Sequence, residues 1–323
     1  MALRTAQTPP VMTVLGPVPA ATLGMTLMHE HVFIDLARVT GDKTQKLFEL
    51  PLAVKELADF TAAGGATVVD VTNRNLGRQP DRLVEVAQAT GLNIVMGCGW
   101  YREPYFDDEV WTHPTSRLAE DIVAEITEGI GAGRTRPGII GEIGSHRDYI
   151  SPVEEKSFRA AARAHLQTGL TITTHASQGR VGLAQLDLLT EEGADPSRII
   201  IGHCDQYPDA EYHDLLARRG AWVQFDLIHH KNAWESEKAV RNVCEFLARG
   251  HLNRLLLSHD VCKRAHLKAY GGVGYAYIPT EFAAQLKAAG VTEEELHTLL
   301  VTNPSTALTG HPAPSACRAT SPL

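Results

Sequence analysis

His29 and His31 stand two residues apart in the run Met-His-Glu-His. That spacing sets both imidazoles on one face of a strand and turns Glu30 to the other, and two imidazoles on one face can grip one metal ion. Farther along, Glu142 stands in Gly-Glu-Ile-Gly, His175 in Thr-Thr-His-Ala, His203 in Gly-His-Cys-Asp and Asp260 in Ser-His-Asp-Val. Any one of these reads as an ordinary structural residue in a chain with 15 histidines. The set reads differently, because each member closes a short apolar run, and a packed core has no use for four imidazoles at one end. Six such ligands can hold two divalent ions if one carboxylate bridges them. Mixed imidazole and carboxylate ligation suits Zn2+, with Mn2+, Co2+ or Fe2+ also accommodated. A water between two cations loses its proton near neutral pH and becomes a nucleophile, while one cation polarises a carbonyl or phosphoryl oxygen. Asp260 is expected to bind metal and to act as general base. No redox cofactor is required.

The elements that must position these residues follow from hydrophobic periodicity. Eight short runs, many β-branched, cover residues 25–32, 66–73, 93–101, 138–144, 170–176, 199–205, 221–228 and 254–261. Most are apolar on both faces, as parallel strands are when helices cover one side and packed side chains the other. Segments 51–63, 80–90, 117–131, 153–168, 181–192 and 238–249 carry helix-period apolar residues. Gly64, Gly91, Gly169, Gly193, Gly220 and Gly250 stand where helix caps are needed. Eight such units predict a single (β/α)8 TIM barrel over residues 14–310, with an open doubly wound sheet as the alternative. The C-terminal strand ends of a barrel converge on one face, so the six polar residues meet there. Residues 1–13 and 311–323 are expected to be flexible.

Composition narrows the partners. A formal charge of −8 and scattered Lys and Arg exclude a basic nucleic-acid surface and favour a small-molecule substrate. Cys98, Cys204, Cys244, Cys262 and Cys317 form no Cys-x-x-Cys pair, which reads as reduced thiols in a cytoplasmic protein. No stretch approaches the ~18 apolar residues of a membrane span.

With these motifs assembled, the chain resembles the phosphotriesterase-related proteins of the amidohydrolase superfamily from about Val14 to Thr309. The resemblance is carried by Leu-Met-His-Glu-His, Gly-Ile-Ile-Gly-Glu-Ile-Gly, Thr-His-Ala, Ile-Gly-His-Cys-Asp, Gln-Phe-Asp, Leu-Ser-His-Asp-Val, Gly-Gly-Val-Gly-Tyr and Thr-Asn-Pro, in that order. It implies a barrel with two metals, the more buried held by His29, His31 and Asp260 and the other by His175 and His203. True phosphotriesterases bridge their metals with a carboxylated lysine. The matching position here is Glu142, so the chain looks most like the glutamate-bridged phosphotriesterase homology proteins. The proton relay of the organophosphate hydrolases maps onto Gln206 and Leu227, neither of which matches. The resemblance also admits a homodimer.

Substrate contacts are expected from Lys231, from Lys263, Arg264 and His266 in the charged stretch after the last strand, and from Tyr101 after the third. Cations there would favour an anionic substrate. The Gly271–Gly274 stretch reads as a flexible loop over the site. The leading function is hydrolysis of a small carboxylic ester, foremost a lactone. An amidase acting on N-acyl amino acids or similar amides comes next, then a phosphoester hydrolase, and last a metal-binding scaffold without catalysis.

Overall fold

A computed structural model describes residues 8–229 and 232–311, and in it eight parallel strands run side by side in sequence order. They are β1 (Met25–Glu30), β2 (Gly65–Asp70), β3 (Asn93–Cys98), β4 (Ile139–Gly144), β5 (Ile172–His175), β6 (Ile199–Gly202), β7 (Trp222–Phe225) and β8 (Leu255–Leu257). Ladder pairing joins each strand to the next. The seam between β8 and β1 is closed by other means: Asp260 N–H donates to the His29 carbonyl at 3.1 Å, and His29 N–H donates to Ser258 Oγ at 2.8 Å. This is the predicted barrel.

Neighbouring residues of the strands divide between two cores. Val68, Ile94, Ile140, Ile201, Val223 and Leu255 face outward into the larger cluster under the helices. Val69, Val95, Ile139, Ile200, Trp222 and Leu256 face inward and fill the barrel. That alternation is why both faces of each strand are apolar. A register shift between Leu27 and Glu30, a local bulge, puts Met28 into the inner cluster directly before His29.

The main helix after each of β1 to β7 is, in order, α1 (Leu50–Ala62), α2 (Pro80–Thr90), α3 (Thr115–Glu128), α4 (Pro152–Thr168), α5 (Val181–Glu191), α6 (Ala210–Arg218) and α7 (Ala233–Ala248), and shorter helices Ala283–Ala288, Glu293–His297 and Asn303–Thr309 come after β8. The start of α4 shows how sequence sets a boundary. Ser151 Oγ accepts from Glu154 N–H while the Glu154 carboxylate accepts from Ser151 N–H, and Pro152 occupies the first turn. Gly169 then ends the helix at φ 72°. No helix among the described residues is long and apolar enough to cross a membrane.

Two expectations are corrected. The N-terminal stretch expected to be flexible through Thr13 ends sooner, because Val11–Thr13 pairs with Gly16–Val18 and Val11 is 3% exposed in the inner cluster that floors the barrel. Residues 1–7 and 312–323, which make up the rest of the expected flexible ends apart from 8–10 and His311, lie outside the described residues. The Gly271–Gly274 stretch is a packed turn rather than a free loop. Gly272 N–H donates to the Leu267 carbonyl at 2.8 Å and Gly274 N–H to that of His266 at 2.9 Å. A Cβ at Gly272 would collide with the His266 carbonyl, and Tyr275, which follows, is buried and donates to the His31 carbonyl at 3.1 Å.

Candidate metal centre

The structure brings His29, His31, Glu142, His175, His203 and Asp260 together at the C-terminal strand ends. Two potential ligand groups, His29–His31–Glu142 and Glu142–His175–His203, share the glutamate. Glu142 Oε1 lies 3.3 Å from His31 Nε2; Oε2 lies 3.4 Å from His29 Nε2, 3.2 Å from His175 Nδ1 and 3.5 Å from His203 Nε2. Asp260 joins the first group through Oδ1, 3.3 Å from His31 Nε2. His203 and Asp260 hold left-handed backbones, φ 56° and 52°, which are costly for residues with a Cβ. Gly202 before His203 has no room for a Cβ against the Thr174 carbonyl.

A third carboxylate, missed in the sequence, orients this ring. Asp226 follows β7, is fully buried, and takes His203 Nδ1 at 2.7 Å and His29 Nδ1 at 3.2 Å. With Nδ1 of His203 hydrogen-bonded to Asp226 and Nδ1 of His29 facing Asp226 and hydrogen-bonded to Gln224 Oε1 at 3.4 Å, Nε2 of both is left with its lone pair toward Glu142. Thr72 Oγ1 does the same for His31, 2.8 Å from Nδ1. Asp226 lies near enough to His29 and His203 to form a third potential group, but its oxygens are engaged on the far side of the rings. The signal for it was present: Gln-Phe-Asp ends an apolar run as the other site motifs do.

Two observations fit this pocket to cations. His29 Nε2 is buried and has no hydrogen-bond partner, and His203 Nε2 meets His175 Nδ1 at 2.6 Å, where at most one of two ring nitrogens can carry a proton. The electrostatics agree. Burial would raise the Glu142 pKa, yet His29, His175 and His203 hold it well below the usual carboxylate range. Burial would likewise raise Asp260, but His31 and His203 lower it. Burial would lower His31, whereas Asp260 and Glu142 raise it to about 10. The carboxylates thus demand positive charge on His29, His31 and His203, while burial and His203 hold His175 neutral; two divalent ions meet that demand without those protons.

A cavity of about 360 Å3 opens beside the centre, and Asp260 lines both. Lys263 and His266 line it as expected, and Lys238, Asp205 and Glu235 join them. His266 adds no positive charge: burial and the stacked His229 ring, 4.0 Å away, lower its pKa to about 3. Arg264 is not brought to the cavity; it pairs with Glu49 and lies over Tyr270. Tyr101 is buried against the centre instead, its hydroxyl 3.2 Å from His175 Nδ1. Lys231 lies outside the described residues. Both positions mapped to the organophosphate relay, Gln206 and Leu227, line the cavity. So does Asp205, whose carboxyl burial and Asp226 raise to about 7.

A TIM barrel that gathers paired imidazole and carboxylate ligands at its C-terminal face defines a class, the metal-dependent hydrolases. Within it, the Phosphotriesterase family model matches residues 9–308, and the chain belongs to that family, whose centre is binuclear. A phosphotriesterase homology protein of Escherichia coli is 39% identical over 87% of this chain and 97% of its own. Its crystal structure, with phosphate in the active site, superposes with a TM-score of 0.85 over 89% of this chain and 99% of that one. A mutant of a PTE-like lactonase from Deinococcus radiodurans is 36% identical with a TM-score of 0.81, covering 92% and 99%. An N-acetyltaurine hydrolase of Dictyostelium discoideum is 30% identical over 82% of this chain and 74% of its own.

Proposed function

We propose that this chain hydrolyses a small, polar carboxylic ester, foremost a lactone. The observation that carries the reading is Asp260: its Oδ1 faces the centre at His31, and it is also part of the cavity wall. Two divalent cations, Zn2+ in this reading, would lower the pKa of a water at the centre and polarise the substrate carbonyl there. His29, His31 and Asp260 would hold one and His175 and His203 the other, with Glu142 between. Asp260 stays ionised, accepts the proton of the attacking water and returns it to the leaving oxygen. Tyr101 holds His175 in place. The cavity favours a polar substrate over a long apolar acyl chain, since only Leu227, Ala239 and Cys262 of its lining lack a strongly polar group. Lys238 and Lys263 favour an anionic substituent, and the unpaired thiols suit a cytoplasmic setting.

A second reading, cleavage of a small amide, draws on the same lysines and on the similarity to N-acetyltaurine hydrolases. It requires Asp260 to protonate a leaving nitrogen instead of an oxygen. The test is metal content measured beside initial rates on γ-lactones, N-acyl amino acids and a phosphotriester, before and after chelation. Two ions per chain and chelator-sensitive lactone turnover are expected. Fewer than one ion per chain, or turnover indifferent to chelation, overturns the metal reading; amide turnover alone selects the second.

A further inference from the structure

We infer that Arg102, which no sequence motif singled out and which stands outside the lysine-bearing cavity wall, adds to those lysines a direct contact with the anionic end of the substrate; the inference rests on the reading of this centre as a carboxyl-derivative hydrolase. Arg102 follows Tyr101 in the turn after β3, and its Cβ lies close to where Gly144, at the end of β4, would carry one. Its guanidinium lies over the rings of Tyr101, at 4.8 Å, and Tyr105, at 5.4 Å. Nη1 donates to the Glu103 carbonyl at 2.8 Å and to His146 Nδ1 at 2.5 Å. All of these partners are neutral groups. Among the described residues no carboxylate forms an ion pair with Arg102, and its Nε is buried without a hydrogen-bond partner.

An arginine has five donors in a rigid fork matched to carboxylate or sulfonate oxygens. Here Nε is unused, Nη1 is spent on neutral acceptors, and no carboxylate lies within ion-pair distance of the charge among the described residues, which is costly unless an anion completes the fork. The contrast with Arg78 is direct: Arg78 is half-buried as Arg102 is, and Glu125 takes its fork from both terminal nitrogens. Arg102 also has the right address. Tyr101, beneath its guanidinium, hydrogen-bonds His175, and His175 contacts Glu142, so the charge stands one side chain away from the place where the substrate carbonyl would be polarised. The ligand class is a small ester or amide whose acid or amine part ends, a few bonds from the scissile carbonyl, in a carboxylate or sulfonate.

The experiment uses metal-loaded protein and two matched pairs, 5-oxotetrahydrofuran-2-carboxylate against neutral γ-valerolactone and N-acetyl-β-alanine against neutral N-propylacetamide. For wild type, the anionic member of the hydrolysed pair should be preferred. Arg102→Met should raise KM for that member about 10- to 100-fold, the loss expected for a charge-assisted hydrogen-bond pair. Metal content, kcat within about threefold, and turnover of the neutral member should hold. Arg102→Lys should recover part of the loss, and if the Met variant does not fold, Arg102→Gln against Arg102→Lys makes the same comparison. An unchanged anionic-to-neutral ratio overturns the inference. Should wild type hydrolyse neither pair, the parent reading fails, and calorimetric binding of N-acetyl-β-alanine decides this one: affinity about tenfold or more weaker in the variant supports it, equal or absent binding in both refutes it.

Discussion

Two clusters of buried histidine and carboxylate lie back to back on β1, and they differ in one respect. On the outer side of the strand, Glu30 closes the barrel seam. Its Oε1 accepts from Ser258 Oγ, His259 N–H and His259 Nδ1, and its Oε2 from Val261 N–H, all at 2.8–2.9 Å. His259 Nε2 accepts from Ile278 N–H at 3.1 Å, so every polar atom of the pair is engaged. On the inner side, His29 Nε2 has no hydrogen-bond partner and His203 Nε2 is pressed against His175 Nδ1. The same residue types thus make a finished network on one face and an unfinished one on the other. A finished network is structural; an unfinished one in so buried a place lacks a ligand.

The first way to break this comparison is at Glu142, where both ligand groups meet. Glu142→Gln should reduce bound metal from two ions per chain to one or none, because a neutral amide cannot bridge two cations. Losing several kcal/mol of transition-state stabilisation lowers kcat by about 1,000-fold or more. Elemental analysis of the purified variant that still finds two ions would remove Glu142 from the bridge. The counterpart on the seam is Glu30→Gln, which turns an amide N–H2 toward backbone donors. It should cost about 3 kcal/mol of stability, read from urea unfolding, as expected when a buried charged acceptor is lost, yet leave two ions per chain. A loss of metal as large as that of the Glu142 variant would show that the two networks are not separable. Third, Asp260→Asn should keep the metals and lower kcat by at least ~100-fold, as loss of a general base does; full activity with both ions bound would end that role.

The sequence made the inner network legible because a strand end is a sharp signal: an apolar run stops at a residue that cannot be buried unpaired. His29, His31, Glu142, His175, His203 and Asp260 were all readable in that way, as was the barrel that assembles them. Asp226 emits the same signal at the end of Gln-Phe-Asp, but that signal does not distinguish a carboxylate that ligates from one that orients the imidazoles behind the ligands. Loop residues carry no such mark. The charged stretch 263–268 could not say which of its members face the cavity: Arg264 is claimed by Glu49, 215 residues earlier in the chain, and His266 is held neutral by burial and by the His229 ring stacked on it. Those are facts of tertiary contact, and neither spacing nor composition encodes them. Arg102 is the mirror case, conspicuous only once the surrounding fold shows what it lacks.

The finest test of the contrast lies at Asp226, which belongs to the inner cluster but is itself satisfied. If it orients His29 and His203 rather than ligating metal, Asp226→Asn should weaken metal binding by about 10- to 100-fold, the usual effect of losing a partner that fixes a ligand imidazole. Two ions should still bind at saturating metal, because an asparagine carbonyl can still accept from His203 Nδ1–H and every ligating nitrogen and oxygen remains. A competitive chelator titration monitors this directly. If the variant binds a single ion however much metal is supplied, Asp226 is a ligand, and the His29–His203–Asp226 group is then a metal site in its own right.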